Sequence, residues 1–234
     1  MAAETFEAAE LSWHGLLGDR RWAFVRPGQE TNGFPWQTIR EHPRMCLYRP
    51  RLREPDRPEA SAVDVLCPDG DIMSVTDPSL TSRLGDNLRP MRLDRGTFDS
   101  MPLSIITTTT VSELAARAGV SDDGRRFRPN LLVEPTVDRP FTEDDWIGST
   151  LHIGDAAIRI DRRDPRCVIV NVDPATGMIN REMLRTVARQ HNNRIGVYAS
   201  IIRPGHINAG DDVRTEPSSS THPDAVTPGS EGEK

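Results

Sequence analysis

The stretch Ala62-Val63-Asp64-Val65-Leu66-Cys67 alternates with a period of two and stops at Pro68-Asp69-Gly70. That period places alternate side chains on opposite faces of a strand, and Pro-Asp-Gly is turn chemistry. Asp71 to Val75 then reads as the return strand of a hairpin. The same unit, a short apolar run closed by turn residues, recurs along the chain. Trp22 to Val25 is followed by Arg26-Pro27-Gly28, and Leu131 to Glu134 by Pro135. Arg44 to Tyr48, Leu103 to Thr107, Trp146 to Gly148, Leu151 to Asp155, Ala157 to Ile160, Val168 to Val172 and Val197 to Ile202 also read as strands. Many short strands with few short helices predict a mainly β, barrel-like fold.

Three segments have helical character. Leu80 to Leu88 has Thr76 or Asp77 as its cap, Val111 to Gly119 has Thr110 as its cap and Gly119 as its stop, and Arg181 to Gln190 spaces Met183, Leu184, Val187 and Ala188 helically. The polar, turn-rich segment Asp94 to Pro102 divides the chain near residue 95. This gives halves of residues 1–95 and 96–214. Beyond them, residues 215–234 form a tail rich in Ser, Thr, Pro and acidic residues, expected to be disordered.

A net charge of -6 argues against a broad nucleic-acid-binding surface, though not against a local basic pocket. No apolar run approaches the ~20 residues that span a bilayer, and Met1-Ala2-Ala3-Glu4-Thr5-Phe6-Glu7 lacks a signal-peptide core, so the expected location is the cytoplasm. The cysteines Cys46, Cys67 and Cys167 are odd in number and far apart, with no CxxC. That count argues against a disulfide framework, a structural zinc site and an iron–sulfur cluster. The six histidines form no HxH or HxxxH pair, and neither GxGxxG, GxxxxGK[ST] nor GxSxG occurs.

Three arginine clusters remain, each leading into an apolar run: Gly18-Asp19-Arg20-Arg21-Trp22, Gly124-Arg125-Arg126-Phe127-Arg128-Pro129-Asn130, and Arg162-Arg163-Asp164-Pro165-Arg166-Cys167. Guanidinium forks suit anions, and three such clusters point to a shared anionic ligand. In extended chain Arg128 and Asn130 would face the same side. Cys67 and Cys46 sit in strand-like apolar runs and read as core. Cys167, escorted by arginines, reads either as a small buried hydrophobe or as a reactive thiolate favoured by its guanidinium neighbours.

Taken in order, several motifs resemble the MOSC-domain family, named after the C-terminal domain of molybdenum-cofactor sulfurase, and within it the branch of the mitochondrial amidoxime reducing component and its bacterial relatives. They are Gly15 to Trp22, Asp99-Ser100-Met101-Pro102-Leu103, Phe127-Arg128-Pro129-Asn130, Arg166-Cys167 leading to Val172-Asp173-Pro174-Ala175-Thr176-Gly177, and Gly205 to Val213. The resemblance implies a MOSC β-barrel preceded by a smaller β-barrel-like half, with the pterin molybdenum cofactor between them. It implies Cys167 as the molybdenum ligand and catalytic residue, and Arg20, Ser100, Arg128, Asn130 and Arg166 as cofactor-binding residues. Family members begin with a strand carrying a Tyr-Pro-Val-Lys-Ser-like segment. The sequence starts after that point, so either the start is misassigned or the protein lacks a strand and two cofactor contacts.

The resemblance implies an oxidoreductase that reduces N-hydroxylated or N-oxide substrates by oxygen-atom transfer, with electrons from a separate flavin, haem or iron–sulfur protein. A second reading makes Cys167 a persulfide carrier in metal–sulfur cofactor assembly. The chain has no pyridoxal-phosphate lyase domain, so its sulfur would come from a separate cysteine desulfurase. A third makes the chain a non-catalytic binding module. None of the readings involves nucleic acid or membrane.

Overall fold

The computed structural model describes residues 1–29, 31, 33–97 and 100–217. The first half contains the hairpin β1 (Ala8–Ser12) and β2 (Gly15–Leu16), then β3 (Trp22–Val25), β4 (Arg49–Leu52), β5 (Val63–Leu66) and β6 (Ile72–Ser74). Helix α1 (Pro78–Leu84) follows, and β7 (Arg89–Arg92) returns to pair with β3. The second half contains β8 (Leu103–Thr107), α2 (Thr108–Ala118), β9 (Leu131–Val133), β10 (Thr150–Ile153), β11 (Ala156–Pro165), α3 (Glu182–His191), β12 (Arg194–Arg203), β13 (Gly205–Asn208) and β14 (Val213–Glu216). The fold is mainly β with short helices, as the sequence pattern predicts.

The principal sheet has the order β14-β10-β11-β12-β8-β9, antiparallel except for the β8–β9 pair. A small sheet, β13-β1-β2, packs with it around one core in which Leu103, Leu151, Ile158, Ile160 and Val197 are fully buried. Burial at this level stabilises by about 1.5–3 kcal/mol per large aliphatic side chain. Leu11 of β1 belongs to that core, and β1 pairs with β13 from Ala8↔Asn208 to Leu11↔Gly205. The chain therefore crosses the division expected at residue 95: its first hairpin is built into the second half. A second core gathers Phe24, Met45, Cys46, Val65, Leu80 and Leu84 under the β4-β5-β6 meander. A third holds α2 and α3 against Ile106, Phe127 and Ile195.

Two expected strands prove to be 3-10 helices, Pro43–Leu47 and Val168–Asn171, and the strand expected at Trp146 to Gly148 is instead the last residue of a third, Thr142–Trp146, and the turn after it. Pro43 cannot donate to a ladder and suits a helical first turn. Asp144 and Asp145 follow the left-handed Phe141, and the turn closes through bonds from Asp144 N–H to the Phe141 carbonyl and from Ile147 N–H to the Asp144 carbonyl. Residues 168–171 are uniformly apolar or buried because they wedge between two cores rather than pair in a sheet. Ile169 packs into the second core and Val170 into the third. His206 lies in β13. Helix α2 is capped by Thr107, which accepts from the Thr110 amide, rather than by Thr110. Strand β14 runs to Glu216, past the expected boundary at 214. The tail expected to be disordered falls, from Ser218 onward, outside the described residues.

Candidate functional site

The first and second arginine clusters meet. Arg20 and Arg128 both take left-handed backbone, at φ 50° and 55°. The strain of that conformation is offset by direct ties. Arg20 donates from Nη2 to the Arg128 carbonyl at 3.1 Å, and its own carbonyl accepts from the Thr97 amide and hydroxyl. Because Arg128 turns left-handed, it does not share a strand face with Asn130, contrary to the extended reading. Asn130 instead bridges the halves. Its amide donates to Asp19 at 2.8 Å, and its carbonyl oxygen accepts from the Ser104 amide at 3.0 Å.

Beside this clasp lies a cleft lined by Ala2, Ala3, Ile39, Cys46, Arg125, Arg126, Arg128, Ile169, Val172 and Pro174. It is electropositive. Burial, reinforced by Arg128 and Arg20 and opposed by Cys46, pushes the Met1 amino group from its ordinary 8.0 down to about 4. Burial, the largest of these causes, disfavours a charge of either sign, so only the Arg128 and Arg20 contributions speak for an anion. Cys46, expected to be plain core, is buried yet lines this cleft, and burial raises its thiol pKa.

Cys167 lies two residues before Ile169, half-buried at the start of the 3-10 helix, on the seam between the halves. Its escorting arginines do not face it. Arg162 lies over the Tyr198 ring and donates to Ser100 Oγ, and Arg163 pairs with Asp144 at 3.0 Å. Arg166 turns inward, because successive strand residues alternate: Asp164 and Arg166 are buried while Pro165 is exposed. Its guanidinium pairs with Asp164 at 3.0 Å and donates to the Ile195 and Phe127 carbonyls. Burial lowers its pKa, against the attraction of Asp164. Gly196 makes room for it: at φ +70°, a Cβ there would lie 2.8 Å from Arg166 Nη2 and 2.6 Å from the Ile105 carbonyl. The guanidinium that touches the sulfur is Arg40, whose Nη2 lies 3.4 Å from Cys167 Sγ.

The structure thus gathers Arg20, Arg128 and Asn130 at one seam with the cleft beside them, and brings Cys167 to the neighbouring lip. Ser100 is exposed beside Arg162, and Arg166 is interior. Arg40 escaped the sequence reading. Its signal was faint: Thr38-x-x-Glu41 is a capping-box spacing, and Thr38 and Glu41 do exchange hydrogen bonds, fixing a turn that presents Arg40. Two residues past the 3-10 helix, Asp173 accepts from Ser121, Thr176 and Ala175 and pairs with buried Arg126 at 3.1 Å. Burial works against its ionisation, but these hydrogen bonds prevail and hold its carboxyl below the usual range.

Among the described residues, no three His, Cys, Asp or Glu side chains converge as a metal cage, and no helix is long and apolar enough to cross a membrane. Comparison with known proteins adds a family. Mitochondrial amidoxime reducing component 2 of Rattus norvegicus is 31% identical over 128 residues, 49% of this chain and 37% of the relative. Molybdenum cofactor sulfurase of Anopheles gambiae is 38% identical over 112 residues, 42% of this chain and 14% of the relative. The chain therefore spans well under half the length of either. Among solved structures, the YuaD protein of Bacillus subtilis aligns over 91% of this chain and 86% of its own with a TM-score of 0.45 and 14% identity. Residues 92–214, more than half of the chain, match the MOSC domain, and the chain belongs to that family.

Proposed function

We propose that the chain binds the pterin molybdenum cofactor across the seam between its halves and works as an oxidoreductase on N-hydroxylated or N-oxide substrates. The observation that carries this reading is the lone half-exposed thiol of Cys167, held by Arg40 beside a cleft walled by Arg125, Arg126 and Arg128. The donor set fits. A single thiolate suits a metal whose other ligands arrive with its cofactor, and guanidinium groups suit a phosphate. Cys167 would ligate the metal, Arg128 would hold the anionic end, and Arg20 would fix Arg128 through its carbonyl. The cleft now encloses about 20 Å³, with Ala2 and Ala3 against it and the Met1 carbonyl accepting from Arg128 at 2.9 Å. Small-molecule sites run to ~300 Å³ or more, so a pterin would fit only with residues 1–3 displaced.

When bound, the cofactor supplies two-electron oxygen-atom exchange, and the protein supplies orientation and field. Reducing N–OH to N–H takes two electrons and two protons and releases water, and the electrons would come from a separate flavin, haem or iron–sulfur carrier. Protein expressed in a host that makes the cofactor is expected to carry molybdenum and pterin. Cys167→Ala is expected to lose the molybdenum while keeping its thermal transition. Metal-free wild-type protein from that host would overturn the reading. The accessibility of Cys167 also suits a persulfide carrier charged by a cysteine desulfurase. That alternative predicts a sulfur adduct on Cys167 by mass spectrometry after incubation with such an enzyme and cysteine.

A further inference from the structure

We infer that the lip around Cys167 is a docking surface for an acidic protein, which, resting on the reading above, is the electron carrier. Three large apolar side chains are exposed there: Val168 at 50%, Met178 at 72% and Ile179 at 59%. Val168 opens the 3-10 helix that follows Cys167, and Ile179 bridges to Val172 just past its end. A four-residue 3-10 helix is about 8 Å long, so Val168 and the Val172–Ile179 bridge lie about that far apart along its axis. Exposed apolar clusters of this kind mark interaction sites.

The patch is rigid before any partner arrives. Asp173 ties the 173–178 turn through the Ala175 and Thr176 amides, and the Asp173 amide donates to the Met178 carbonyl. Such pre-organisation lowers the entropic cost of docking. The charge on this face is opposite to that of the whole chain. Arg44 packs against the same turn, since a Cβ on Gly177 would lie 3.3 Å from its Cα, and Arg181 follows Ile179. Both are exposed, and neither has a carboxylate partner among the described residues. The neighbouring carboxylates are engaged: Glu182 by Arg185, Asp173 by Arg126, and Glu41 by Thr38 and Arg26. An apolar centre with unpaired arginines at its rim, on a chain of net charge -6, selects and steers a negatively charged protein face.

The test uses the full chain with two acidic carriers, a flavodoxin and a plant-type ferredoxin. Cytochrome c serves as a basic control, and phosphatidylglycerol vesicles serve as the anionic membrane. Binding is followed by calorimetry at low and high salt. At least one acidic carrier is expected to bind, with affinity falling about tenfold or more in Arg44→Glu/Arg181→Glu and in Met178→Asp. Both variants are expected to keep the wild-type thermal transition. The surface assignment is overturned if neither carrier binds, if the variants bind as well as wild type, or if the vesicles bind and the carriers do not. Carrier binding by a chain that takes up no molybdenum would sink the cofactor reading alone. Molybdenum uptake without carrier binding would sink the surface alone.

Discussion

The protein on the two sides of Cys167 is organised in opposite ways. Behind it, polar groups are tied to one another: Asp19 to Asn130, Asn130 to Ser104, Ser104 to Asp164 at 2.8 Å, and Asp164 to Arg166. This chain of bonds crosses from the first half of the protein into the second and ends on the residue before the thiol. In front of it, Arg44 and Arg181 stand among exposed apolar side chains with no carboxylate partner among the described residues. A guanidinium whose fork is filled by protein acceptors holds structure. One left facing solvent is available to a partner. The number of arginines near a cysteine therefore says little about its chemistry until the acceptors are placed.

The comparison breaks most visibly behind the cysteine. Asp164→Ala leaves the Arg166 guanidinium buried without its counter-ion, at 6% side-chain exposure, and is expected to cost about 3–5 kcal/mol in urea unfolding. Asp164→Leu/Arg166→Met removes both charges and is expected to recover much of that loss, because a well-packed apolar pair avoids the desolvation of two ions. A loss below about 1 kcal/mol for the single variant, the size of an exposed pair, would show that the interior tie does not hold the fold.

A smaller effect is expected at the sulfur. Arg40→Met removes a charged donor from Cys167 and is expected to slow alkylation by iodoacetamide about three- to tenfold at neutral pH. Cys46 and Cys67 are buried, so the label reports Cys167. Arg162→Met, beside it in sequence but bound at Ser100 and Tyr198, is expected to leave the rate unchanged. Equal slowing by both variants would mean that the general field of the region, not the contact, sets the reactivity.

Much of the fold was legible because period-two runs and turn residues are local signals. Val63 to Leu66, Leu103 to Thr107 and Trp22 to Val25 lie where the pattern put them. The 3-10 helix at 168–171 was not legible, because an apolar run that wedges between two cores looks like a buried strand. The first hairpin was missed as part of the second half because pairing with β13 joins residues nearly two hundred positions apart. At the site, the resemblance grouped Arg20, Ser100, Arg128, Asn130 and Arg166; the structure ties Arg20 to Arg128 and Asn130 to Asp19, beside Arg20, while Ser100 and Arg166 lie elsewhere. The inward turn of Arg166 was present in the alternation Asp164-Pro165-Arg166-Cys167, which puts an acid and a base on the face opposite the thiol. Arg40 acts across the seam, and no local pattern reports a contact of that range.

The smallest effect compares one histidine from each side. His42 lies in front, where burial and then Arg44 lower its pKa. His191 lies behind, with its ring 3.9 Å from Phe141 and Nε2 buried with no hydrogen-bond partner among the described residues; burial, then Arg117 and Arg163, lower its pKa against the pull of Glu143. Each has a folded pKa below its unfolded value of about 6.5. Below about pH 6.5 the unfolded chain therefore takes up the proton more readily, and stability falls as pH drops from there towards the folded value. His191→Gln removes one such group, so its melting temperature is expected to fall by about 2 °C less than that of wild type between pH 7.5 and 5.5. His42→Gln is expected to show a similar but separate relief, and the double variant should approach the sum if the two sides titrate independently. Wild-type and His191→Gln curves that run parallel across this range would show that the proton is accommodated behind the strand as easily as in solvent.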